Sequence, residues 1–430
     1  MTIFAKKLKL PPNVVVKKKG AKTLFIRPDV PDWVIVNSNG AAALKLCNGD
    51  RSIGEIGKKL SKIAKRDTTT EINNFFQQII SETDLFSPFH KESETFYPYN
   101  LNFVHLSMTN KCNLQCIYCY AEERSNSKRK LQFKDYLNII DSINDISKNV
   151  EIVLTGGEPL LENYTLQLAD YGKRKGNPIQ LLTNGILINE TNAKRIAELC
   201  DLTKVSIDGS VPEIHDFHRG KGSFSKALEA VDILVKNNAK LQISMTVTRK
   251  NISNIEAMVN RFGSMLSFAP LFKAGRAKKI KNLAITGKEY YNALASVKGV
   301  SPLSYLCSSL INAKEKRIMK CAIGDAEISI SDNGDVYPCH LLHLPQFLAG
   351  NIKNQSLESI YQNSDVLKAC RRLHVLEING CKKCDIRFIC GGACRARAFF
   401  EKDRIDVSDD FCEYEKEAFI NGLFELHYFD

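Results

Sequence analysis

The sequence predicts an α/β chain built on a partial (β/α)6 TIM-like barrel, with a winged-helix-like module before it and a cysteine-rich domain after it. Three observations carry that expectation. Between residues 101 and 285, six strand-like runs alternate with helical stretches, the rhythm of a parallel sheet wound from right-handed βαβ units. Six units are too few to close an eight-stranded barrel. The uncommon residues of this region follow the runs, where parallel strands end and a barrel opens. Finally, nine of the 14 cysteines lie beyond residue 300.

Residues 1–90 begin with short runs, "NVVVKK", "KTLFIRP" and "WVIVN", each bounded by Pro, Gly or Asn as strands are. A helix over "NGAAALKLC" then leads to a turn at "NGDR". The next helix opens with Ser52 and Glu55 at capping-box spacing. In "EINNFFQQIISE", Phe75, Phe76, Ile79 and Ile80 share one helical stripe. Strands followed by small helices suggest the winged-helix-like module, and residues 91–100 read as a linker.

In the barrel region the strands are "LNFVHLSMT", "NVEIVLTGG", "IQLLTNG", "TKVSIDG", "LQISMTVT" and "MLSFAPLF". The residues that end them are a cysteine loop, "TGGEP", "TNG", "SIDG", "TVTRKN" and "GRA". Six signals on one rim outweigh any one alone.

Hydrophobic residues make up 44% of the 430, enough for real cores, and the formal net charge is +12. A solvated lysine-rich surface is the plain reading of that charge, and an acidic partner is the other. No basic stripe interleaves with aromatics, so nucleic-acid binding is not expected. No apolar run reaches the roughly 18 residues of a membrane helix. The opening "MTIFAKKLKLPPN" has charge without an apolar h-region. A cytoplasmic location is expected, where dense cysteines read as metal or catalytic sites.

The sharpest feature is "TNKCNLQCIYCYAEE", with Cys112, Cys116 and Cys119 in one loop. Three thiols leave one over from any disulfide. A four-iron cluster takes four thiolates, so three leave one iron open to a small molecule. Zinc competes, but this loop lacks its paired pattern. The C-x3-C-x2-C spacing, with Tyr118 before the last cysteine and "GGEP" downstream, resembles the radical S-adenosylmethionine (SAM) superfamily. That resemblance implies that the open iron is chelated by the amino and carboxylate groups of SAM. One electron then yields methionine and a 5′-deoxyadenosyl radical that abstracts a substrate hydrogen. It also implies close backbone approach to the methionine end at Gly156 and Gly157, with Glu158 near its amine and Pro159 stiffening the turn. Ser206, Asp208 and Asn184 fall where ribose or carboxylate contacts are made, and Arg219 is a carboxylate partner.

Beyond residue 300 the pattern is C-x12-G-x4-C, then C-x2-C-x5-C-x3-C, then one more cysteine. On its own it would suit a zinc ribbon. Beside the barrel it is similar to the SPASM domain, an iron–sulfur domain with two auxiliary [4Fe-4S] clusters, making three clusters in all. The resemblance implies that Cys381, Cys384, Cys390 and Cys412 hold the outer cluster, and Cys321, Cys339 and Cys394 the inner one. Its fourth ligand is Cys307, Cys370 or an open site. Cys47 and Cys200 read as helix-borne core residues. His340 and His343 read as packing or hydrogen-bonding residues, or tuners of the cluster.

A small module before such a barrel resembles the peptide-recognition element of peptide-modifying enzymes, where a leader segment adds a strand to an open sheet edge. The function expected is modification of a ribosomally made precursor peptide, forming a thioether or carbon–carbon crosslink. One alternative is a sulfatase-maturase-like enzyme that makes formylglycine. Another, of a different class, is a non-catalytic zinc-binding scaffold. An acidic flavodoxin or ferredoxin is the expected electron donor. No residue has a positional warrant as general base.

Overall fold

The structure is a computed structural model and describes residues 3–87, 100–123, 130–298, 300, 318–426 and 429. The N-terminal region begins with β1 (Lys7–Lys9) and an antiparallel sheet in the order β2 (Val15–Lys19), β3 (Lys22–Arg27), β4 (Asp32–Val36). There follow α1 (Ser38–Lys45), β5 (Asn48–Ser52), α2 (Ile53–Ala64) and α3 (Thr69–Glu82). The Ser52–Glu55 capping box forms, its two bonds at 2.7 and 3.2 Å. Phe75, Phe76 and Ile79 are buried, and Ile80 packs on the same core.

"NGDR" is not a free turn but part of β5, paired antiparallel with β1. Its partner lies some forty residues upstream, so the pairing is a tertiary effect that local turn chemistry does not reveal. The module is also less separate than its sequence suggests. Phe25, Val34 and Val36 face its own helices. Leu24, Ile26, Trp33 and Ile35 face the other way, onto Ile386, Ile389, Phe419, Leu423 and Phe424 of the C-terminal region. Burial on both faces explains why β3 and β4 read as continuous apolar runs. The Phe429 N–H donates to Ile35 O at 2.7 Å, occupying the outer edge of β4. Of the expected linker, only Asn100 is among the described residues.

The barrel region runs β6 (Phe103–Thr109), α4 (Phe133–Ile146), β7 (Glu151–Gly156), α5 (Thr165–Arg174), β8 (Ile179–Thr183) and α6 (Glu190–Leu199). It continues through β9 (Leu202–Ser206), α7 (Pro212–Arg219), α8 (Ser223–Lys236), β10 (Leu241–Val247), α9 (Ile255–Phe262), β11 (Leu266–Pro270) and α10 (Gly287–Ser296). β6 to β11 are parallel neighbours in chain order, the arrangement expected of a partial barrel. Val104, Leu106, Ile152, Leu154, Val205, Ile243 and Met245 face the helices in the main core. The alternate residues, among them His105, Ser107, Ser206 and Thr246, line the concave side.

The sheet does not stop at β6. β12 (Glu327–Ile330) pairs with it in parallel, and β13 (Asp335–Tyr337) and β14 (Gly350–Asn351) add antiparallel strands. The cysteine-rich region is therefore continuous with the barrel through a nine-stranded sheet. Short helices complete it: α11 (Leu357–Asn363), α12 (Asp365–Arg371), α13 (Arg387–Cys390), α14 (Arg395–Lys402) and α15 (Cys412–Leu423). Among the described residues no helix is long and apolar enough to cross a membrane.

Candidate functional site

The cysteine loop leaves the C-terminal end of β6 and is clamped by the turn after β7. Gly157 N–H donates to Thr109 O at 2.7 Å and Glu158 N–H to Lys111 O at 2.9 Å. A Cβ on Gly157 would lie 2.0 Å from Lys111 O, and one on Gly156, at φ +132°, 2.4 Å from Thr109 O. The close approach that these glycines permit is thus to the backbone leading into the cysteine loop. Gly157→Ala should displace that loop, at a cost of about 1–3 kcal/mol or more. Iron bound per chain after reconstitution should drop by about one cluster, and wild-type iron would contradict the clamp.

Within the loop, Leu114 N–H points at Cys112 Sγ at 3.4 Å, the kind of donor that stabilises a thiolate. Asn184 reaches the same loop: its Nδ2 donates to Asn113 Oδ1 at 2.7 Å and lies 3.7 Å from Cys112 Sγ. Glu158 is fully buried, and burial pushes its carboxyl above the usual range. It accepts from Thr183 Oγ1 and Asn184 N–H, both at 2.8 Å, and from Leu160 N–H at 3.2 Å. Its oxygens tie the ends of β7 and β8 together.

Tyr118, Asp208 and Arg219 form one buried network. Arg219 Nε donates to Asp208 Oδ2 at 2.5 Å and Nη2 to Tyr118 Oη at 2.7 Å, while Tyr118 Oη donates to Asp208. Thr246 N–H satisfies the other carboxylate oxygen at 2.9 Å. Arg219 Nη1 sits 3.9 Å from Cys116 Sγ. Burial alone would raise the Asp208 carboxyl, but the Arg219 charge outweighs it and holds it below the usual range. The resemblance implied small-molecule contacts for Arg219 and Asp208. Here each is engaged by the other, and the pair braces the cysteine loop. His218, which the sequence reading did not single out, accepts Ile117 N–H on its carbonyl at 2.9 Å. Ser206 lies half-buried on the concave side of β9, beside Ser244.

The other cysteines form two groups. Cys381, Cys384, Cys390 and Cys412 ring one cavity, also lined by Ile386, Arg387, Gly392 and Lys416. Cys321, Cys339, Cys370 and Cys394 meet in one apolar cluster with Tyr337 and Leu342. Cys307 lies outside the described residues. Burial pushes the Cys394, Cys412 and Cys370 thiols up to about 12. Without a cation these sites favour protonated thiols, so thiolate ligation needs a metal's charge. Cys47 and Cys200 are buried just past the ends of α1 and α6, two residues and one residue outside the helices expected to hold them.

Arg397 stands between the two groups. Its N–H points at Cys394 Sγ at 3.4 Å, and its guanidinium donates to Asp409 at 2.8 Å and Glu415 at 3.2 Å. Burial outweighs that attraction at Glu415 and raises its carboxyl from 4.5 to about 7. A carboxyl raised on folding lends stability that is complete below the unfolded value and is lost as pH rises through the folded one. Relative to the wild type, Glu415→Gln should therefore gain stability as pH rises from about 4.5 to about 7, by about 3 kcal/mol. Denaturant midpoints at the two ends of that window test this, and equal slopes in both proteins would contradict it.

His105 on β6, Glu327 on β12 and His340 were not named as a group by the sequence. Glu327 Oε1 lies 2.7 Å from His340 Nδ1 and 3.5 Å from His105 Nε2. Burial would raise the Glu327 carboxyl, but the His340 hydrogen bond and both imidazole charges bring it to about 2. The alternation E-I-S-I in β12 was the available signal. The two rings stack at 4.3 Å and 23°, so their lone pairs run side by side rather than converging on one ion. Among the described residues this is also the one three-donor group with all ligand atoms within 4.8 Å. Tetrahedral zinc, with Zn–S of about 2.3 Å, needs sulfurs under about 4 Å apart. No three sulfurs of the described cysteines lie within 4.8 Å of one another, a spacing that suits a multi-iron cluster better than one zinc ion.

Comparison with known proteins identifies the family. Residues 106–262 match the Radical SAM superfamily model, and residues 321–385 match an iron–sulfur cluster-binding domain, SPASM. The mycofactocin maturase MftC of Mycobacterium ulcerans is 27% identical over 320 residues, covering 71% of this chain and 86% of that protein. An uncharacterized protein of Methanocaldococcus jannaschii is 32% identical over 262 residues, covering 58% of this chain and 88% of its own. The crystal structure of Streptococcus suis SuiB bound to S-adenosylmethionine shares the fold, with a TM-score of 0.58 over 94% of this chain and all of that one, at 15% identity. The chain therefore belongs to the radical SAM superfamily, and is an enzyme whose cofactors are S-adenosylmethionine and iron–sulfur clusters.

Proposed function

We propose that the chain is a maturase that crosslinks a ribosomally made precursor peptide, with three [4Fe-4S] clusters. The carrying observation is the cysteine loop at the strand-end rim, braced by Glu158, Asn184 and the Tyr118–Asp208–Arg219 network. Cys112, Cys116 and Cys119 would hold the SAM-binding cluster, which when loaded supplies the 5′-deoxyadenosyl radical. The cavity of Cys381, Cys384, Cys390 and Cys412 would hold the outer auxiliary cluster. Cys321, Cys339 and Cys394 would hold the inner one, with Cys370 beside them. Ser206 and Thr246 line the concave face where a peptide would pass. A relative named mycofactocin maturase, and the similarly folded SuiB solved with a precursor peptide, support that substrate class.

The N-terminal module would bind the leader. β2 is the open edge of its sheet, exposed from Val16 to Lys19. Deleting residues 1–90 would strip half of the core shared with Phe419 and Leu423, so it tests stability as well as binding. N–H groups alternate sides along an edge strand. One of Lys17→Pro and Lys18→Pro therefore keeps the β3 pairing and removes only an outward donor.

The test is anaerobic incubation of reconstituted protein with SAM, a reductant and the peptides of adjacent short reading frames. Release of 5′-deoxyadenosine with loss of two hydrogen masses from a peptide supports the crosslinking reading. An aldehyde that reacts with hydrazide would favour the formylglycine alternative. Zinc without iron would favour the scaffold.

A further inference from the structure

We propose that Arg276, in the "GRA" turn after β11, binds a carboxylate of the peptide substrate and so fixes which peptide residue faces the cysteine loop. The turn (Gly275–Lys279) leaves the last strand of the barrel and closes on the loop that follows the first. Arg276 N–H donates to Cys119 O at 3.0 Å. A Cβ on Gly275, at φ +51°, would lie 2.3 Å from the same oxygen, so the approach needs glycine. Ala277 is buried with Tyr118, Leu271 and Leu283. The Arg276 backbone is therefore fixed against the third cysteine of the loop.

Its side chain is not satisfied in the same way. Arg276 Nε is buried and has no hydrogen-bond partner among the described residues. Arg219, by contrast, is held by Asp208 and Arg249 by Glu289. From residue 257 to residue 288 the sequence has no aspartate or glutamate, so the segment supplies no acid of its own. A buried donor left unpaired costs about 1–3 kcal/mol, and a ligand that accepts from it removes that cost. The planar guanidinium fork matches a carboxylate. Arg276 as a whole is only half-buried, which leaves it within a ligand's reach.

Its position favours the substrate over the cofactor. The Cβ of Gly275 would also meet Tyr120 Cα at 2.8 Å, and the Tyr120 ring lies 6.3 Å from that of His340, the residue after Cys339. Lys278 Nζ sits 5.7 Å from the Phe400 ring on α14. The turn thus stands where the cysteine loop meets the C-terminal region, between Cys119 and the inner cysteine group. A peptide that reacts between those two groups passes Arg276. The inference rests on the peptide reading proposed above.

The test uses reconstituted full-length protein and the adjacent-frame peptide that the wild type converts. Each Asp and Glu of that peptide is changed in turn to Asn or Gln, and its C-terminus is amidated in one further version. Arg276→Gln should raise the KM for the unchanged peptide about 10-fold or more, with kcat within about three-fold. Arg276→Lys keeps the charge without the fork and should recover only part of that loss. One altered peptide should carry the same penalty with the wild type and add little to that of Arg276→Gln. Iron per chain, and the affinity for S-adenosylmethionine read from spectral titration, should match the wild type. An unchanged KM overturns the inference, and so do penalties that simply add for every altered peptide. Weakened affinity for S-adenosylmethionine also overturns it, giving Arg276 to the cofactor, as does lost iron, which makes the arginine part of the loop's support. Failure of the peptide reading shows separately: the wild type then converts no peptide, and the inference falls with it.

Discussion

Cys116→Ala should reduce 5′-deoxyadenosine release to background, a loss of at least about a thousand-fold. The other two cysteines of the loop cannot hold a four-iron cluster alone. Iron should fall by about four per chain, the complement of one four-iron cluster, because the other cysteines proposed as ligands lie on other elements. The neighbourhood adds to the effect. Arg219 Nη1 stands 3.9 Å from the Cys116 sulfur, so losing the thiolate also leaves that guanidinium facing a void. Iron assay and product chromatography on the same sample check both halves. Retained product formation would remove this cysteine from the reaction.

Asp208→Ala should be the most destabilising single change at the rim. It removes the acceptor of Tyr118 Oη, Arg219 Nε and Thr246 N–H at once. The Arg219 charge would then be buried without its carboxylate, which costs about 3–5 kcal/mol. Asp208→Asn keeps an acceptor of the same shape and should cost less. Denaturant midpoints of the two variants, with iron per chain, test the account. A loss under about 1 kcal/mol in the alanine variant would show that the network is not a brace.

The barrel was legible because each strand is short, apolar and followed by an unusual turn, so a local pattern reported a global arrangement. The Ser52–Glu55 cap was legible for the same reason: its bonds span three residues. What escaped was long-range. β12 is only four residues long and pairs with β6, more than 200 residues earlier. The second buried face of β3 and β4 needs helices near residues 386 and 419. At the site, residue types were readable but pairings were not. Arg219 and Asp208 each suited a small-molecule contact on sequence grounds. Only the last turn of α7, folding back over the end of β9, brings them together. His105 and Glu327 meet across two strands whose adjacency no local pattern encodes.

The most direct measurement is electron paramagnetic resonance of the anaerobically reduced protein, with and without S-adenosylmethionine. An iron left free by the loop of Cys112, Cys116 and Cys119 predicts a shifted signal when the cofactor is added, and no shift in a variant with all three replaced. A wild-type spectrum indifferent to the cofactor would contradict it.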